Sequence, residues 1–304
     1  MKIEFTLATL SRKVGPFGSR YRVGQRATEP LRSHFVAQAT GKHSGVVTIT
    51  DYDGNLKLRI DRWGYMGSRI FWSGFHAHDE ICVLRKLLNR HSVFVDAGAN
   101  FGEFTIFAAK HAASVLAFEP LPKVYAALEE NVSLNQFVNV RLFQLALGEN
   151  SATLPMYSCI DGELNNNEGL STLYISDNRS TQVASVPVEP FDDVFDESGY
   201  KRIDVFKVDV EGAEIEVLRG ARTSIKRYRP VLLVELNSLT CEAAGYTVAD
   251  LSNEIRTLDY EICRILRGGR LEILSGNPTY ANVACFPKKP AVPPPISIAY
   301  SEMG

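Results

Sequence analysis

The chain has 304 residues, of which 45% are hydrophobic and 22% charged, and its 33 basic and 35 acidic side chains give a formal net charge of −2. These values are ordinary for a globular protein with one large domain and an accessory segment, and nothing in them indicates a nucleic-acid or membrane partner. No segment approaches the ~20 apolar residues of a membrane span, and the apolar-leaning run at residues 5–10 is too short for a signal peptide. Five widely spaced cysteines favour reduced thiols over a disulfide framework, so we expect a cytoplasmic protein.

Residues 1–42 are basic and contain several glycines and prolines, which favours a solvated, poorly ordered arm over a grip on an anionic substrate. The alternating stretches 45–50 and 56–61 flank Asp53-Gly54-Asn55, a pattern typical of a β-hairpin. A small β-containing N-terminal extension, residues 1–73, is therefore predicted before the core. Its basic side chains include Arg12, Lys13, Arg20, Arg22, Arg26 and Arg32.

From position 92, strands and helices alternate, which is typical of an α/β protein with a parallel sheet. The fourth and fifth predicted strands are continuous β-branched and leucine runs, as expected for strands that are buried on both faces. The pattern predicts strands at 92–98, 115–118, 140–147, 204–210 and 231–236, with helices after the first two of them.

The long segment at about 149–202 interrupts this alternation, and a substrate lid or a plain surface excursion would each explain it. After the fifth strand, the pattern predicts a helix at 248–258 and strands at 260–266 and 280–286. A core domain at 74–288 is therefore expected. Residues 289–304 contain three consecutive prolines and are predicted to form a mobile tail or a strap onto a partner subunit in a homo-oligomer.

The first predicted strand runs into a glycine loop that indicates a nucleotide-type ligand: Asp96-Ala-Gly98-Ala-Asn100-Phe-Gly102. A nicotinamide dinucleotide fingerprint needs a third glycine to approach the pyrophosphate, and Asn100 stands where the middle glycine would be. The Asp96 carboxylate would repel a pyrophosphate and attract a sulfonium and an ammonium. S-adenosylmethionine carries both of these groups, and its carboxylate is expected at the amides of the loop and helix.

Further acids follow the next strands at the same predicted sheet edge. Glu119 ends the second strand, where a carboxylate accepts hydrogen bonds from ribose hydroxyls, and the small Ala146 leaves room for an adenine. Asp209 and Glu211 follow the fourth strand, and Asp209 is expected to contact the same cofactor as Asp96. We also predict Asp209 as the base or acceptor-orienting group, with Glu211 and Glu235 as alternatives.

Two further motifs are ambiguous. His76-Ala-His78-Asp-Glu suggests a metal cluster, but the other ligands that such a site needs are missing. The two histidines are therefore interpreted as acceptor contacts or structural groups, with Glu235 and Asn237 as further acceptor contacts, and no metal is predicted. Asn277-Pro-Thr-Tyr280 is similar to a motif of nucleic-acid amino-methylating enzymes, but a turn into the last strand explains it better, so nucleic acid is disfavoured.

The motifs together resemble the FkbM family of S-adenosylmethionine-dependent methyltransferases over residues 74–240. The resemblance implies a Rossmann-like class I methyltransferase sheet of seven strands with a reversed last strand. It implies that Asp96, Gly98, Asn100, Gly102 and Glu119 contact the cofactor, and that a sugar or polyketide hydroxyl is methylated. The motifs that carry it are Asp96–Gly102, Phe118-Glu119-Pro120, Ala146-Leu147-Gly148, Lys207–Glu214, Leu218–Ala221 and Pro230–Glu235.

The sequence thus predicts an O-methyltransferase that acts on a small-molecule or glycan hydroxyl with S-adenosylmethionine as methyl donor. Two alternatives stay open. A nicotinamide-dependent oxidoreductase uses a similar corner of the sheet, and a non-catalytic partner subunit would bind S-adenosylmethionine without turnover.

Overall fold

The computed structural model describes residues 2–14, 28–37, 45–159, 171–176, 179–288 and 298–299. The helices are α1 (Lys2–Val14), α2 (28–37), α3 (Tyr65–Ser73), α4 (His78–Leu87), α5 (Glu103–His111), α6 (Pro122–Leu134), α7 (Phe191–Ser198), α8 (Glu214–Gly220), α9 (Arg222–Tyr228), α10 (Ser238–Ala243) and α11 (Val248–Thr257). The strands are β1 (Val46–Tyr52), β2 (Leu56–Asp61), β3 (Val93–Ala97), β4 (Ser114–Phe118), β5 (Val140–Phe143), β6 (Ala146–Leu147), β7 (Ala152–Cys159), β8 (Arg179–Glu189), β9 (Val205–Val208), β10 (Val231–Asn237), β11 (Tyr260–Leu266), β12 (Arg270–Ile273), β13 (Tyr280–Pro287) and β14 (Ile298–Ala299).

Within the described residues, the central sheet has nine strands in the order β14-β12-β11-β13-β10-β9-β3-β4-β5. β5, β4, β3, β9 and β10 are parallel, whereas β13 runs antiparallel to both β10 and β11. The predicted seven-stranded Rossmann-like sheet with a reversed last strand is confirmed. The hairpin partner β12 and the short β14 extend it at one edge.

The central strands are buried on both faces because successive side chains point to opposite sides of the sheet. On β3, Phe94 joins one apolar cluster and Val95 the other. Helices α4 and α5 cover the first face, and α7, α8, α9 and α11 cover the second. The sheet edge at the strand ends is thereby held rigidly, which fixes the positions of the residues that follow each strand.

The predicted third strand, 140–147, is wrong in its extent. β5 ends at Phe143, and Ala146–Leu147 instead forms β6 in a separate three-stranded sheet with β7 and β8. The chain therefore leaves the central sheet before Ala146. The strands β7 and β8, which lie in the segment at about 149–202, belong to the second sheet. Apolar residues occur on both sides of the break, although β5 is only partly buried and Ala146–Leu147 is buried, so the sequence does not show where the strand ends.

The N-terminal region also differs from the expected solvated arm. Helix α1 packs on α3, and Arg12 is buried with its Nε 3.0 Å from an Asp51 carboxylate oxygen, so this guanidinium is paired inside the chain. Arg32, on α2, pairs with Glu29. The predicted β-hairpin is present as β1 and β2. Arg20, Arg22 and Arg26 lie outside the described residues.

The C-terminal region returns to the sheet, since Ile298 on β14 pairs with Leu271 on β12. This contact is with the chain itself; most of the predicted 289–304 tail lies outside the described residues. In the part of the chain that the structure describes, no helix combines the length and apolar character that crossing a bilayer requires.

Candidate active site

A cavity of about 400 Å³ lies at the carboxyl ends of the parallel strands. Glu119 follows β4, Gly98 follows β3, Asp209 follows β9, and Glu235 and Tyr280 come from β10 and β13. Neighbouring strands are about 4.8 Å apart, so these five strands give the cavity a long axis along the sheet edge. Ligands of open α/β sheets bind at this edge.

Gly98 and Gly102 have different roles in the loop after β3. Gly98 has φ +76°, and a Cβ there would lie 1.9 Å from the Asp209 carbonyl oxygen, so only glycine allows β9 to come this close. A Cβ on Gly102 would lie 2.7 Å from a Leu128 methyl carbon. Gly98 lines the cavity and Gly102 does not. The structure thus places Gly102 where α5 packs on α6, away from the predicted cofactor contacts.

The loop amides are already used by the chain. The amides of residues 98–102 donate to the carbonyls of Phe118 and Ala99 and to the side chains of Asn100 and Glu119. This differs from the expectation that they receive the carboxylate of the cofactor. Their hydrogen bonds instead hold the loop in one conformation against the end of β4.

Glu119 is held by two of these contacts. Its carboxylate accepts from the Asn100 amide at 3.0 Å and the Leu121 amide at 2.9 Å. Burial raises the pKa of Glu119 to about 7, and the two amides oppose this rise. Each carboxylate oxygen keeps a second lone-pair direction. Glu119 is therefore placed to accept two hydroxyl donors from the cavity, while Ala146 and Leu121 line its apolar end.

Asp96 lies behind the cavity wall, since it is fully buried and does not line the cavity. One oxygen accepts from the Thr105 hydroxyl at 2.6 Å, and the other lies 3.4 Å from Lys207 Nζ. The sequence predicted that the Asp96 carboxylate faces the ligand, whereas in the structure it points away from the cavity lining. The Asp96 carboxylate forms an ion pair with Lys207, and Lys207 in turn contacts Asp209 on the cavity wall.

The two predicted catalytic acids both line the cavity but have different partners. Asp209 lies 3.3 Å from Lys207 Nζ, and its side chain is 38% exposed. Glu211, at φ +56°, is 2.8 Å from an Arg179 guanidinium nitrogen on β8. Glu211 therefore ties the insertion to the loop after β9, which leaves Asp209 as the more accessible carboxylate.

Glu235 and Asn237 line the cavity at the end of β10, where Asn237 also caps α10 by accepting from the Leu239 amide. Burial raises the pKa of Glu235 to about 8, and the nearby Asp209 and Glu211 carboxylates raise it further. Two of the predicted acceptor contacts are thus adjacent on one strand.

The two histidines lie in different environments. His76 lines the cavity, and its Nδ1 is buried without a hydrogen-bond partner among the described residues. Burial lowers the pKa of His76 to about 4, so its imidazole is neutral near pH 7. His78 lies outside the lining, 3.1 Å from Asp79 and 3.7 Å from the Cys82 sulfur. Burial lowers the pKa of His78, but these two partners outweigh burial and raise it to about 9.

Sequence reasoning missed several lining residues. Lys207 had a signal, because a lysine within the apolar run of a buried strand needs carboxylate partners. Asn282 lies two residues after Tyr280 on the same face of β13, a spacing that could have been read once Tyr280 was placed. Glu80 had a signal as the last residue of the His76–Glu80 motif, although it was not named as a site residue, and Glu103 gave no signal beyond an ordinary helix N-terminal acid. In the described residues, no group of three or more His, Cys, Asp or Glu side chains is arranged to hold a metal ion.

Residues 96–262 match the methyltransferase FkbM domain, which is more than half of the 304-residue chain. The chain belongs to the FkbM methyltransferase family. Among the two enzyme classes that the sequence left open, this match decides for the methyltransferase over the nicotinamide-dependent oxidoreductase. Membership of this family indicates S-adenosylmethionine as the cofactor.

Similar curated proteins include two fungal methyltransferases. Methyltransferase 1 of Beauveria bassiana (strain ARSEF 2860) is 32% identical over 151 residues, covering 42% of this chain and 58% of that protein. Methyltransferase sdnD of Sordaria araneosa is 36% identical over 152 residues, covering 41% and 59%. The matches therefore span little more than half the length of these relatives. AMB antimetabolite synthetase AmbE of Pseudomonas aeruginosa PAO1 is 26% identical over 238 residues, covering 67% of this chain and 11% of that protein.

The residues that line the cavity are chemically compatible with S-adenosylmethionine. Glu119 would offer carboxylate oxygens to a ribose diol, Ala146 and Leu121 would offer an apolar surface to an adenine, and Asp209 would place negative charge further along. The order of these residues along the sheet edge, from β4 to β9, is the order of the corresponding groups in the cofactor.

Proposed function

We propose that the protein is an O-methyltransferase that methylates a hydroxyl of a carbohydrate or a secondary metabolite. The observation that carries the proposal is the place of Asp209. It stands midway along the cavity, between Glu119 at the cofactor end and Glu235 at the other end, with its carboxylate partly exposed. The acceptor therefore enters from the β10 and β13 side.

Methyl transfer to a hydroxyl needs two things from the protein. The acceptor oxygen must be held in line with the methyl group, and its proton must leave as the new bond forms. Bound S-adenosylmethionine supplies an electrophilic methyl group on a sulfonium. Asp209 is proposed to accept the hydrogen bond of the acceptor hydroxyl and so to orient it, while Lys207 fixes the position of Asp209.

His76 is a second group that can accept a hydrogen bond from the acceptor hydroxyl, because its lowered pKa of about 4 keeps the imidazole neutral near pH 7. Its neutral imidazole has an unpartnered Nδ1 at the cavity, within electrostatic reach of Asp209. Glu235 lies at the other end of the cavity, where we propose that it contacts the part of the acceptor that is remote from the reacting hydroxyl. Asp209 and His76 are thus assigned to the hydroxyl, and Glu235 to the rest of the acceptor.

The insertion supports a small-molecule acceptor. Met156 on β7, Leu173 and Arg179 line the cavity, and Arg179 ties the insertion to Glu211. We propose that this segment, about 149–202, covers the bound molecules as a lid on a domain at 74–288. The similarity to a part of an antimetabolite synthetase favours a secondary metabolite within the two acceptor classes.

The test is an acceptor screen with S-adenosylmethionine that carries a ¹³C-labelled methyl group. Release of S-adenosylhomocysteine reports turnover, and the chemical shift of the labelled methyl reports the atom that received it. A methyl on oxygen supports the proposal. A methyl on nitrogen or carbon overturns it, and tight cofactor binding without turnover on any hydroxyl compound supports the non-catalytic subunit instead.

A further inference from the structure

The cavity has a second end that the cofactor contacts do not explain. Glu80, Glu103 and Glu235 all line it, and we call these three residues the acidic end. Glu80 comes from α4, Glu103 begins α5 and Glu235 lies on β10. Asn282, which pairs with Glu235 across β10 and β13, donates to Glu80. Three separate elements thus bring carboxyl groups to one region.

The acidic end is not neutralised by cations of the chain. Among the described residues that line the cavity, Lys207 and Arg179 carry the positive charges. Lys207 is shared between Asp96 and Asp209, and Arg179 is paired with Glu211. The charge of Lys207 also lowers the pKa of Glu103, but this one cation is already shared between two other carboxylates and does not balance three more carboxyl groups.

Glu103 supplies an independent sign of a ligand. Its side chain is 2% exposed, and one oxygen accepts from the amides of His76 at 2.7 Å and Ala77 at 3.3 Å. The other oxygen, Oε2, is buried without a hydrogen-bond partner among the described residues. A buried carboxylate oxygen without a partner is costly, and a donor brought into the cavity would satisfy it.

The ionisation of these groups fits a missing cation. Burial raises the pKa of Glu103 to about 7 and of Glu235 to about 8, and it also raises the pKa of Glu80. A positive charge next to them would favour their ionised forms. S-adenosylmethionine carries a sulfonium, an ammonium and a carboxylate, so its net charge is one positive. One positive charge does not balance three carboxylates.

We propose that the acceptor carries a protonated amine and binds with this ammonium against Glu80, Glu103 and Glu235. This inference rests on the proposed function and narrows its acceptor to an amino alcohol or amino sugar. An ammonium donates three hydrogen bonds, which suits the unpartnered Glu103 oxygen together with Glu80 and Glu235. The same three carboxylates disfavour an anionic acceptor, because each of them would repel its negative charge in a poorly solvated cavity.

The ammonium of the cofactor could also bind at the acidic end. The experiment separates binding of the cofactor's ammonium from binding of the acceptor's ammonium. Binding is measured by calorimetry on the full chain saturated with S-adenosylhomocysteine, with 2-amino-1,3-propanediol against glycerol and D-glucosamine against D-glucose. The amines should bind at least about tenfold more tightly than their neutral partners, which corresponds to about 1.4 kcal/mol. Equal binding of amine and neutral partner, or no amine binding at all up to about 10 mM, overturns the proposal.

Glu80→Gln, Glu103→Gln and Glu235→Gln should each remove most of the preference for amines, while the exposed Glu242→Gln serves as the matched control. The cofactor source is tested with S-adenosylhomocysteine and 5′-methylthioadenosine, which lacks the amino-acid part. Unchanged affinity for both in the three variants supports the proposal and shows that the variants fold. If the variants weaken only S-adenosylhomocysteine, the acidic end holds the cofactor and the proposal is wrong.

Failure of this inference is distinguishable from failure of the proposed function. The calorimetry involves no methyl transfer, so an amine preference can be absent while a neutral hydroxyl compound is methylated on oxygen. Conversely, an amine can bind as proposed and receive the methyl on nitrogen. The first result contradicts the amine-binding inference and leaves the proposed O-methylation intact. The second result supports amine binding and contradicts O-methylation.

Discussion

The ammonium nitrogen of Lys207 lies 3.3 Å from a carboxylate oxygen of Asp209, and the same nitrogen lies 3.4 Å from Asp96. One buried cation therefore joins a fully buried acid behind the cavity wall to an accessible acid on it. The position of Asp209 depends on this link, because its partner is fixed in the core of the sheet.

Lys207→Met should destabilise the protein, because it leaves Asp96 charged and unpaired in the core. Breaking a buried pair by removing one partner costs about 3–5 kcal/mol. Urea unfolding measures the loss, and Lys226→Met on the exposed side of α9 is the control, with an expected change within about 0.5 kcal/mol. Equal stability of the two variants would show that Lys207 does not stabilise Asp96.

Gly98→Ala should disrupt the loop after β3, because the new methyl would meet the Asp209 carbonyl oxygen at 1.9 Å. Gly199→Ala is a matched control, since Gly199 has a similar φ of +81° and nothing within 4 Å of the added atom. The control isolates backbone strain of about 1–2 kcal/mol. Gly98→Ala should cost clearly more in thermal unfolding and should lower affinity for S-adenosylhomocysteine. Equal losses in the two variants would contradict the close approach of β9.

Glu119→Gln should weaken binding of S-adenosylhomocysteine by about 10- to 100-fold, since one of the two charge-assisted acceptors is lost. The amide group also takes an acceptor from the amide of Asn100 or Leu121. Calorimetry measures the affinity, and the exposed Glu129→Gln on α6 is the control. Unchanged affinity in Glu119→Gln would remove this residue from the ribose site.

Asp53 should make the stability depend on pH in acid. Burial would raise the pKa of Asp53, but hydrogen bonds from His111, Lys110 and Arg85 outweigh it and hold the pKa at about 2. The unfolded value is about 3.9, so this stabilisation is complete above that pH and is lost as the pH falls towards 2. Asp53→Asn should flatten the stability profile between about pH 4 and 2. The exposed Asp196→Asn should keep the wild-type slope, and the same slope in both variants would contradict the assignment.

The sheet and the positions of the acids at the carboxyl ends of β3, β4, β9 and β10 could be predicted from the sequence. Buried parallel strands are continuous apolar runs, and the residue that follows each of them must lie at the shared edge. The run 140–147 misled, because a change of sheet between Phe143 and Ala146 leaves the apolar pattern intact. Local pattern records burial and does not record the strand with which a segment pairs.

The orientation of side chains at the site was beyond the sequence. Asp96 and Asp209 both follow from strand ends, yet Asp96 turns inward to Lys207 and Thr105. The prediction of a solvated N-terminal arm was wrong for a similar reason, because Arg12 forms an ion pair with Asp51, which is distant in the chain. Long-range partners of this kind decide whether a charge is solvated, and a single sequence does not state them.

The most direct test of the account compares turnover and cofactor affinity in Asp209→Asn with those of the wild type, using the hydroxyl acceptor found in the screen. We expect the rate of S-adenosylhomocysteine formation to fall by about 100-fold or more, since the acceptor proton loses its base, while the Kd for S-adenosylmethionine changes by less than about tenfold. Near-wild-type turnover in Asp209→Asn would contradict the central role given to this carboxylate.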